Sequence, residues 1–310
     1  MGHPQLSIII PTFNRPELLQ RAVHSALDQT FADIEVIVVD DGSTPAVSLA
    51  DHEKLRVLRL DPNEGGPMAR NRGAAIAQAP WITYLDDDDV LLPDMAERAM
   101  KAIQQIPSTL PRPVGLLFGL EVVDPQGNVV VTHRPPTLPL GSHFCLEPIP
   151  PGTSFITKQT LVVERDVFLG MGGFDPAFTS RIHTELFLRL NPVCSLWGHP
   201  ETTYRLSAHG GNRVSSNPQR RQQNFERLLT KHRELFTRHP RRTVADFVFN
   251  HADMLYRSGQ RWAAAKAWGH AFRVHPLHAI ARLISPYKQQ VMKRILAANI
   301  RFPWTMSDAR

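Results

Sequence analysis

The stretch LSIIIPTFNRPELLQRAVHSAL (residues 6–27) joins an apolar β-branched run, a short polar turn and an amphipathic segment. Such a run, stopped at Pro11, predicts a strand buried on both faces. After Pro16, apolar residues recur three and four positions apart, which predicts a helix with the proline in its first turn. The stretch therefore predicts a strand and a helix that can pack against it.

The same alternation continues along the chain. Apolar runs predict strands at residues 34–40, 55–61 and 81–85, and helices are predicted at Pro67–Gln78 and within residues 91–103. Strands and helices that alternate at this spacing predict an α/β fold with a doubly wound, mainly parallel sheet and right-handed crossovers.

Polar clusters follow each of these predicted strands. In a doubly wound sheet, ligands bind outside the carboxyl ends of the strands, so the clusters are expected to meet in one crevice. Four consecutive carboxylates in such a crevice repel one another unless a cation is held there. The clusters are Pro11–Asn14, Asp40–Ser43, Asn63–Gly66 and Asp86–Asp89.

The periodicity changes after Pro107. Residues 114–133 predict a hairpin, which would form a small antiparallel part, and the proline-rich residues 134–152 predict a surface loop over the site. Residues 183–190 predict a helix with its leucines facing inward, and residues 195–206 a strand pair or an irregular edge. The rest of the chain predicts a helical appendage.

The net charge differs sharply between the two parts of the chain, at −8 for residues 1–211 and +14 for residues 212–310. The acidic part does not suit a nucleic-acid binder, whereas the basic part suits an anionic surface such as a membrane leaflet. No apolar run is long enough to span a membrane and no signal peptide is evident, so we expect a cytoplasmic protein. Cys145 and Cys194 are far apart and are expected to be reduced thiols.

Five motifs in series resemble family 2 glycosyltransferases of the GT-A fold, over about residues 5–215. The resemblance implies an inverting transfer of a sugar from a nucleotide diphosphate donor, commonly a UDP-sugar, to an acceptor hydroxyl in bacterial polysaccharide or glycoconjugate synthesis. Together with the change of periodicity after Pro107 and the basic charge of the tail, it predicts a GT-A catalytic domain over residues 1–218, with a nucleotide-binding half (1–107) and an acceptor half (108–218), followed by a basic helical C-terminal region (219–310). The motifs are SIIIPTFNRPELLQRAVHSALDQTF, EVIVVDDGST, NEGGPMARNRGAAIA, YLDDDDVLLPD and GGFD with ELFLRL.

The resemblance also implies a metal site. In the D-x-D motif of the family, Asp86 would reach the ribose or the metal and Asp88 would ligate Mn²⁺ or Mg²⁺, with Asp87 as a further ribose contact. Such an ion neutralises the charge that develops on a diphosphate leaving group. His209, in the loop after the last core strand, is a second candidate ligand. Asp89 is expected to cap the helix that follows.

Five other positions correspond to nucleotide contacts in the family. Pro11 and Phe13 match the turn that contacts the base, and Phe13 is expected to stack on it. Asp40 and Asp41 match the DDG motif, whose second Asp accepts a hydrogen bond from the base. Arg70 matches the arginine that reaches the nucleotide.

The catalytic base is where the sequence departs from the family, which places an acidic pair at the start of the helix before LFLRL. Here Ile182 and His183 stand in those positions, while Glu185 is kept. His183 at a helix N-terminus would be neutral and able to accept a proton. Glu185 or another carboxylate is a second candidate. The third explanation is a weak or inactive protein that binds a nucleotide-sugar as a sensor or scaffold.

The acceptor is left open as a saccharide, a glycolipid or a protein. The basic C-terminal region predicts peripheral membrane contact or packing on a second copy of the chain as a homo-oligomer. Nucleotidyl transfer to a sugar phosphate is a rival function, but the turn after the first strand lacks the glycine-rich basic loop that a triphosphate requires.

Overall fold

The computed structural model describes residues 3–207 and 217–284. The chain forms two compact units, Met1–Leu228 and Leu229–Arg310. The division after residue 218 that the sequence suggests stays a prediction.

The first unit is built on one sheet. Its path runs β3-β2-β1-β4-β8-β6-β9-β5, and β7 pairs with β6 outside that path. The strands β1 to β4 pair in parallel, whereas β8 is antiparallel to both of its neighbours and β5 is antiparallel to β9. The strands among the described residues are β1 (Leu6–Thr12), β2 (Ile34–Asp40), β3 (Leu55–Arg59), β4 (Trp81–Tyr84), β5 (Val90–Leu91), β6 (Val114–Val123), β7 (Val129–His133), β8 (Val162–Glu164) and β9 (Ser195–Ser207).

Helices cover the sheet and form the C-terminal part of the described chain. They are α1 (Pro16–Leu27), α2 (Gly66–Ile76), α3 (Met95–Gln104), α4 (Arg165–Gly170), α5 (Ile182–Leu190), α6 (Pro218–Lys231), α7 (Arg233–Arg238), α8 (Arg241–Arg257) and α9 (Arg261–Val274), with a 3₁₀ helix at Phe155–Thr160. Residues 276–284 are also helical.

Alternate residues of β1 fill two cores on opposite faces of the sheet. Ile8 and Ile10 pack with Leu19 of α1 on one face, whereas Ile9 packs with Ala69 of α2 on the other. Because side chains of a strand alternate between faces, an unbroken apolar run is what a strand buried on both faces needs. The structure confirms the buried strand and the helix predicted from residues 6–27.

The order of the strands positions the site. From β1 the chain adds β2 and β3 on one side and then crosses to add β4 on the other side. The carboxyl ends of β1 and β4 thus flank the point where the strand order reverses, which is where ligands bind in folds of this type. The turns Thr12–Arg15 and Asp86–Asp89 both begin at that point.

One prediction about the second half of the first unit is wrong, and another is correct only in part. Residues 195–206 belong to one long strand, β9, which lies between β6 and β5 rather than forming a pair or an edge. The proline-rich residues 134–152 are more than a surface loop, because Leu138, Phe144 and Leu146 are buried in the first unit. Prolines between the apolar residues hide the pattern from sequence reading. The predicted hairpin is confirmed as β6 and β7.

In the second unit, α8 and α9 pack against each other and are joined by a turn at Gly259. The positive φ of Gly259, 79°, is one that glycine adopts without strain. A small core of Ala252, Leu255, Ala264 and Ala267 joins them. Among the described residues, no helix has the length and apolar character needed to cross a membrane.

Candidate active site

The chain turns after β4 at four consecutive aspartates. Carboxylate oxygens of Asp86, Asp88 and Asp89 all lie within 4.8 Å of one another. Asp87 and Asp89 are buried, while Asp86 and Asp88 are partly exposed. The turn therefore concentrates negative charge at the carboxyl end of β4, as the sequence predicts.

The end of β1 and the turn after it supply the Thr12 hydroxyl and the Arg15 guanidinium to these carboxylates. Arg15 Nη1 donates to Asp87 Oδ1 at 3.0 Å and to Asp88 Oδ2 at 3.3 Å. Thr12 Oγ1 donates to Asp87 Oδ2 at 2.8 Å. Burial raises the pKa of Asp87, and the bonds from Thr12 and Arg15 act in the opposite direction. Asp87 is therefore held by the protein itself.

Arg70, on α2, ion-pairs with Asp86. Its guanidinium also donates to the carbonyl of Gly66 and lies 5.8 Å from the ring centroid of Phe174. Two arginines from two different elements thus face the aspartates. Arg70 was predicted as a nucleotide contact, and the structure places it beside the carboxylates.

Asp89 does not cap the following helix, so that expectation is wrong. Its carboxylate accepts hydrogen bonds from Tyr204 Oη at 2.9 Å and from the Ser207 amide at 3.0 Å, and α3 begins only at Met95. Burial, with added repulsion from Asp86 and Asp88, raises the pKa of Asp89 to about 8. Without a cation the site thus carries more carboxylate than it can keep ionised at neutral pH.

The base-contacting turn predicted from Pro11 and Phe13 lies at the end of β1. Pro11 is buried within the strand, whereas Phe13 is exposed just after the carboxyl end of β1. Asn14, with a positive φ of 55°, receives a hydrogen bond from the Thr44 amide at 2.8 Å. This contact joins the β1 turn to the turn after β2 and leaves the Phe13 ring open to a ligand.

Asp40 and Asp41, after β2, are both buried and hold neighbouring loops. Asp40 accepts hydrogen bonds from the Ser43 and Val47 amides and from Arg59. Burial acts to raise the pKa of Asp40, but these bonds leave it below its ordinary value.

Asp41 accepts bonds from the Glu64 and Gly65 amides at 2.8 and 2.9 Å. Burial raises the pKa of Asp41 in spite of these two bonds. Asp41 therefore fixes the loop that precedes α2.

His183 lies in the first turn of α5. Its ring packs edge-on against Phe174, with centroids 5.6 Å apart. Burial lowers the pKa of His183 to about 3, Asp86 acts to raise it, and Arg70 and Lys158 lower it further. His183 is therefore a buried, neutral imidazole within electrostatic range of Asp86.

Glu185 is fully buried and accepts two hydrogen bonds from Arg189, at 2.7 and 2.6 Å. Arg189 also donates to the carbonyls of Met171 and Gly173. The ion pair lies within α5 and orients Arg189, whose bonds to the Met171 and Gly173 carbonyls tie α5 to the segment after α4. Both carboxylate oxygens of Glu185 are directed into this bonding network.

The structure brings most predicted residues to one edge of the sheet. Asp86, Asp87, Asp88, Arg70 and His183 lie in one group, and Pro11, Phe13, Asp40 and Asp41 follow the adjacent strands. His209 lies outside the described residues. The sequence did not predict that Arg15 contacts the aspartates or that Tyr204 and the Ser207 amide bind Asp89. Arg15 could have been found as a cation three residues past the end of β1, but nothing local in the sequence signals the contact between Tyr204 and Asp89.

The carboxylate oxygens of the aspartate turn are ligands of the kind that a hard divalent cation prefers. Three carboxylates within 4.8 Å of one another offer the oxygen ligands that Mg²⁺ and Mn²⁺ take. Burial first and the negative charge of Asp86 and Asp88 second raise the pKa of Asp89, and a cation held there would compensate that charge. The residues that could hold the ion are Asp86, Asp88 and Asp89.

Comparisons of the sequence with known proteins point to glycosyltransferases. The family model of glycosyl transferase family 2 matches residues 7–114. An uncharacterized glycosyltransferase of Haemophilus influenzae is 28% identical over 190 residues, which are 60% of this chain and 61% of that protein. The succinoglycan biosynthesis protein ExoO of Rhizobium meliloti is 40% identical over 111 residues, which are 33% of this chain and 32% of that protein. The chain thus spans less than two thirds of the length of either relative.

A solved structure extends the comparison to the fold. The crystal structure of S. aureus TarS 1–349 in complex with UDP-GlcNAc matches 98% of this chain and 95% of its own chain, with a TM-score of 0.62 and 16% identity. At that identity the match speaks for the fold alone. It confirms the predicted α/β architecture of the GT-A type.

Proposed function

Because the chain carries a glycosyltransferase family 2 domain at residues 7–114, we propose that it transfers a sugar, with inversion, from a nucleotide diphosphate donor to an acceptor hydroxyl. The observation that carries the proposal is the cluster of Asp86, Asp88 and Asp89 at the point where the strand order reverses. A nucleotide diphosphate needs a cation between its phosphates and such carboxylates, and that point is where nucleotides bind in open α/β sheets.

A UDP-sugar is the proposed donor. TarS, which shares the fold, was crystallised with UDP-GlcNAc. In this chain, the exposed ring of Phe13 offers a stacking surface for a pyrimidine at the end of β1. Asp40 and Asp41 lie at the end of the adjacent strand β2, where the base and the ribose of such a donor would meet polar groups.

Mn²⁺ or Mg²⁺ is the proposed cofactor, held by Asp86, Asp88 and Asp89, with His209 as the further ligand predicted from the sequence. When bound, such an ion supplies Lewis-acid stabilisation of the leaving diphosphate. Arg15 and Arg70 lie against the same carboxylates and present guanidinium groups of the kind that bind phosphate oxygens.

His183 is the proposed base. A neutral imidazole can take the proton from the acceptor hydroxyl, so that the oxygen attacks the anomeric carbon on the face opposite the leaving diphosphate. A conjugate acid with a pKa of about 3 makes it a weak base before the donor binds. A negatively charged donor beside His183 stabilises the protonated ring and raises that pKa. We propose that Glu185 positions α5, and with it His183, through Arg189.

The low pKa of His183 also favours the second candidate, a weak or inactive protein that binds a nucleotide-sugar as a sensor or scaffold. Incubation with a UDP-sugar and Mn²⁺ separates the two functions, since donor hydrolysis or transfer that is lost in His183→Ala, with donor binding intact, removes the sensor. Binding without turnover in the wild type would favour it.

The proposed acceptor is a saccharide, a glycolipid or a protein of a bacterial polysaccharide or glycoconjugate pathway. The similarity to a succinoglycan biosynthesis protein supports the polysaccharide class. Cytoplasmic location and homo-oligomer formation stay predictions.

A thermal-shift experiment tests the proposal directly. UDP-GlcNAc with Mn²⁺, at about 100 times the dissociation constant, should stabilise the protein by about 2.7 kcal/mol, which for a domain of this size raises Tm by roughly 5–10 °C. Asp88→Asn should lose that shift, and the matched control Asp166→Asn, at an exposed surface aspartate, should keep it. An equal shift in Asp88→Asn, or no shift in the wild type with any nucleotide-sugar, would contradict the proposal.

A further inference from the structure

The helical residues 276–284 have an unusual distribution of polarity. His278 and Arg282 face α8: Arg282 Nη1 donates to Asp246 Oδ1 at 2.8 Å, and His278 Nε2 lies 2.8 Å from the same oxygen. The Arg282 guanidinium also donates to Asn250 at 2.8 Å and lies 5.0 Å from the ring centroid of Phe249. The polar side of this helix is therefore its inner side.

The outer side is apolar. Leu277 is 77% exposed, and Ile280, Leu283 and Ile284 are 42–44% exposed. At about 100° per residue these four side chains fall within an arc of about 120°, opposite His278 and Arg282. We call these four residues the outer face.

An apolar stripe that points into water on a helix fixed by ion pairs needs a partner, because contiguous apolar patches on free protein surfaces mark interaction sites. Among the described residues of the second unit, the helix packs on α8 through its opposite side, and these residues leave the outer face exposed. The partner is thus expected to lie outside the described second unit.

Charge selects among the possible partners. Residues 229–310 contain 15 Lys and Arg against 4 Asp and Glu. A second copy of so basic a unit is repelled, whereas an anionic lipid surface is attracted. Helices that combine an exposed apolar face with a basic surrounding lie in the plane of the lipid headgroups.

We propose that the outer face, Leu277, Ile280, Leu283 and Ile284, inserts into the headgroup region of an anionic lipid bilayer, with the basic second unit held against it by charge. The outer face shares no residue with the proposed sugar-transfer site, and its proposed occupant is a lipid surface rather than a protein. Neither feature depends on the proposed function.

Vesicle co-sedimentation of the full chain tests this. Wild type should bind vesicles with about 30% phosphatidylglycerol and lose binding as salt rises, with little binding to pure phosphatidylcholine. Leu277→Ser/Ile280→Ser leaves the charge unchanged and should weaken binding by roughly tenfold or more, because the apolar contribution is removed. The matched control Val130→Ser/Val131→Ser, at exposed apolar residues of β7, should bind like wild type.

Leu283→Ser/Ile284→Ser provides a second variant should the first lose its helical circular dichroism signal. The proposal is overturned if wild type does not bind anionic vesicles or if both serine variants bind as well as wild type. It is also overturned if ultracentrifugation shows an oligomer that the serine variants dissociate while vesicle binding is absent, since the outer face is then covered by a second copy.

Discussion

Glu185→Gln separates a catalytic from a structural role for the buried carboxylate of α5. The change removes the charge that pairs with Arg189 through two bonds of 2.7 and 2.6 Å, while Glu185 is fully buried. Removing one partner of a buried pair costs about 3–5 kcal/mol, because the other charge loses its compensation. For a domain of this size that corresponds to a fall in Tm of roughly 6–20 °C.

Differential scanning calorimetry and a sugar-transfer assay well below Tm measure the two effects side by side. Glu121→Gln is the matched control, since Glu121 pairs with Arg205 at 3.0 Å near the surface and such pairs contribute about 1 kcal/mol or less. We expect Glu185→Gln to lose stability but to keep transfer within about tenfold per folded molecule, as a positioning residue would. A loss of transfer above about a hundredfold with Tm unchanged would refute this and make Glu185 the base.

Two further predictions concern packing and pH. Gly73→Ala should destabilise the first unit by about 1–3 kcal/mol in urea unfolding, because a Cβ at this position of α2 would collide with Ile9. Gly170→Ala, where a Cβ meets no atom within 4 Å, should lose nothing, and equal behaviour of the two variants would contradict the packing. Asp89 keeps its proton up to a pH of about 8 when folded and loses it near 4 when unfolded, so the free energy of unfolding should fall as pH rises between these values. The slope is at most about 1.4 kcal/mol per pH unit and should flatten in Asp89→Asn, measured by urea unfolding from pH 5 to 9; identical slopes would argue against the raised pKa.

The first half of the fold could be predicted from the sequence because each element carries its own pattern. The strands of the parallel part are unbroken apolar runs that end in polar turns, and α1 and α3 show apolar residues at helical spacing. The second half could not be predicted as well, because β9 carries His199 and Pro200 within it and bulges against β6 near Gly119. Such a strand is identified by its partners rather than by its own residues.

The site was predictable in position but not in its contacts. The rule that ligands bind at carboxyl ends of strands brings the aspartates together without knowledge of side chains. The contact between Tyr204 and Asp89 joins residues 115 positions apart, and it follows from the pairing of β9 with β5. No local pattern signals a contact of that separation.

Under the proposed function, Arg15 and Arg70 would couple the binding of the metal ion to the binding of the donor diphosphate. In the protein by itself their guanidinium groups balance part of the charge on Asp86, Asp87 and Asp88. Under the proposed function, Asp86, Asp88 and Asp89 would hold a cation that compensates their charge, and Arg15 and Arg70 would then be able to bind the diphosphate of the donor. Each ligand would then raise the affinity for the other, and by thermodynamic reciprocity the gain in affinity would be the same whichever one binds first.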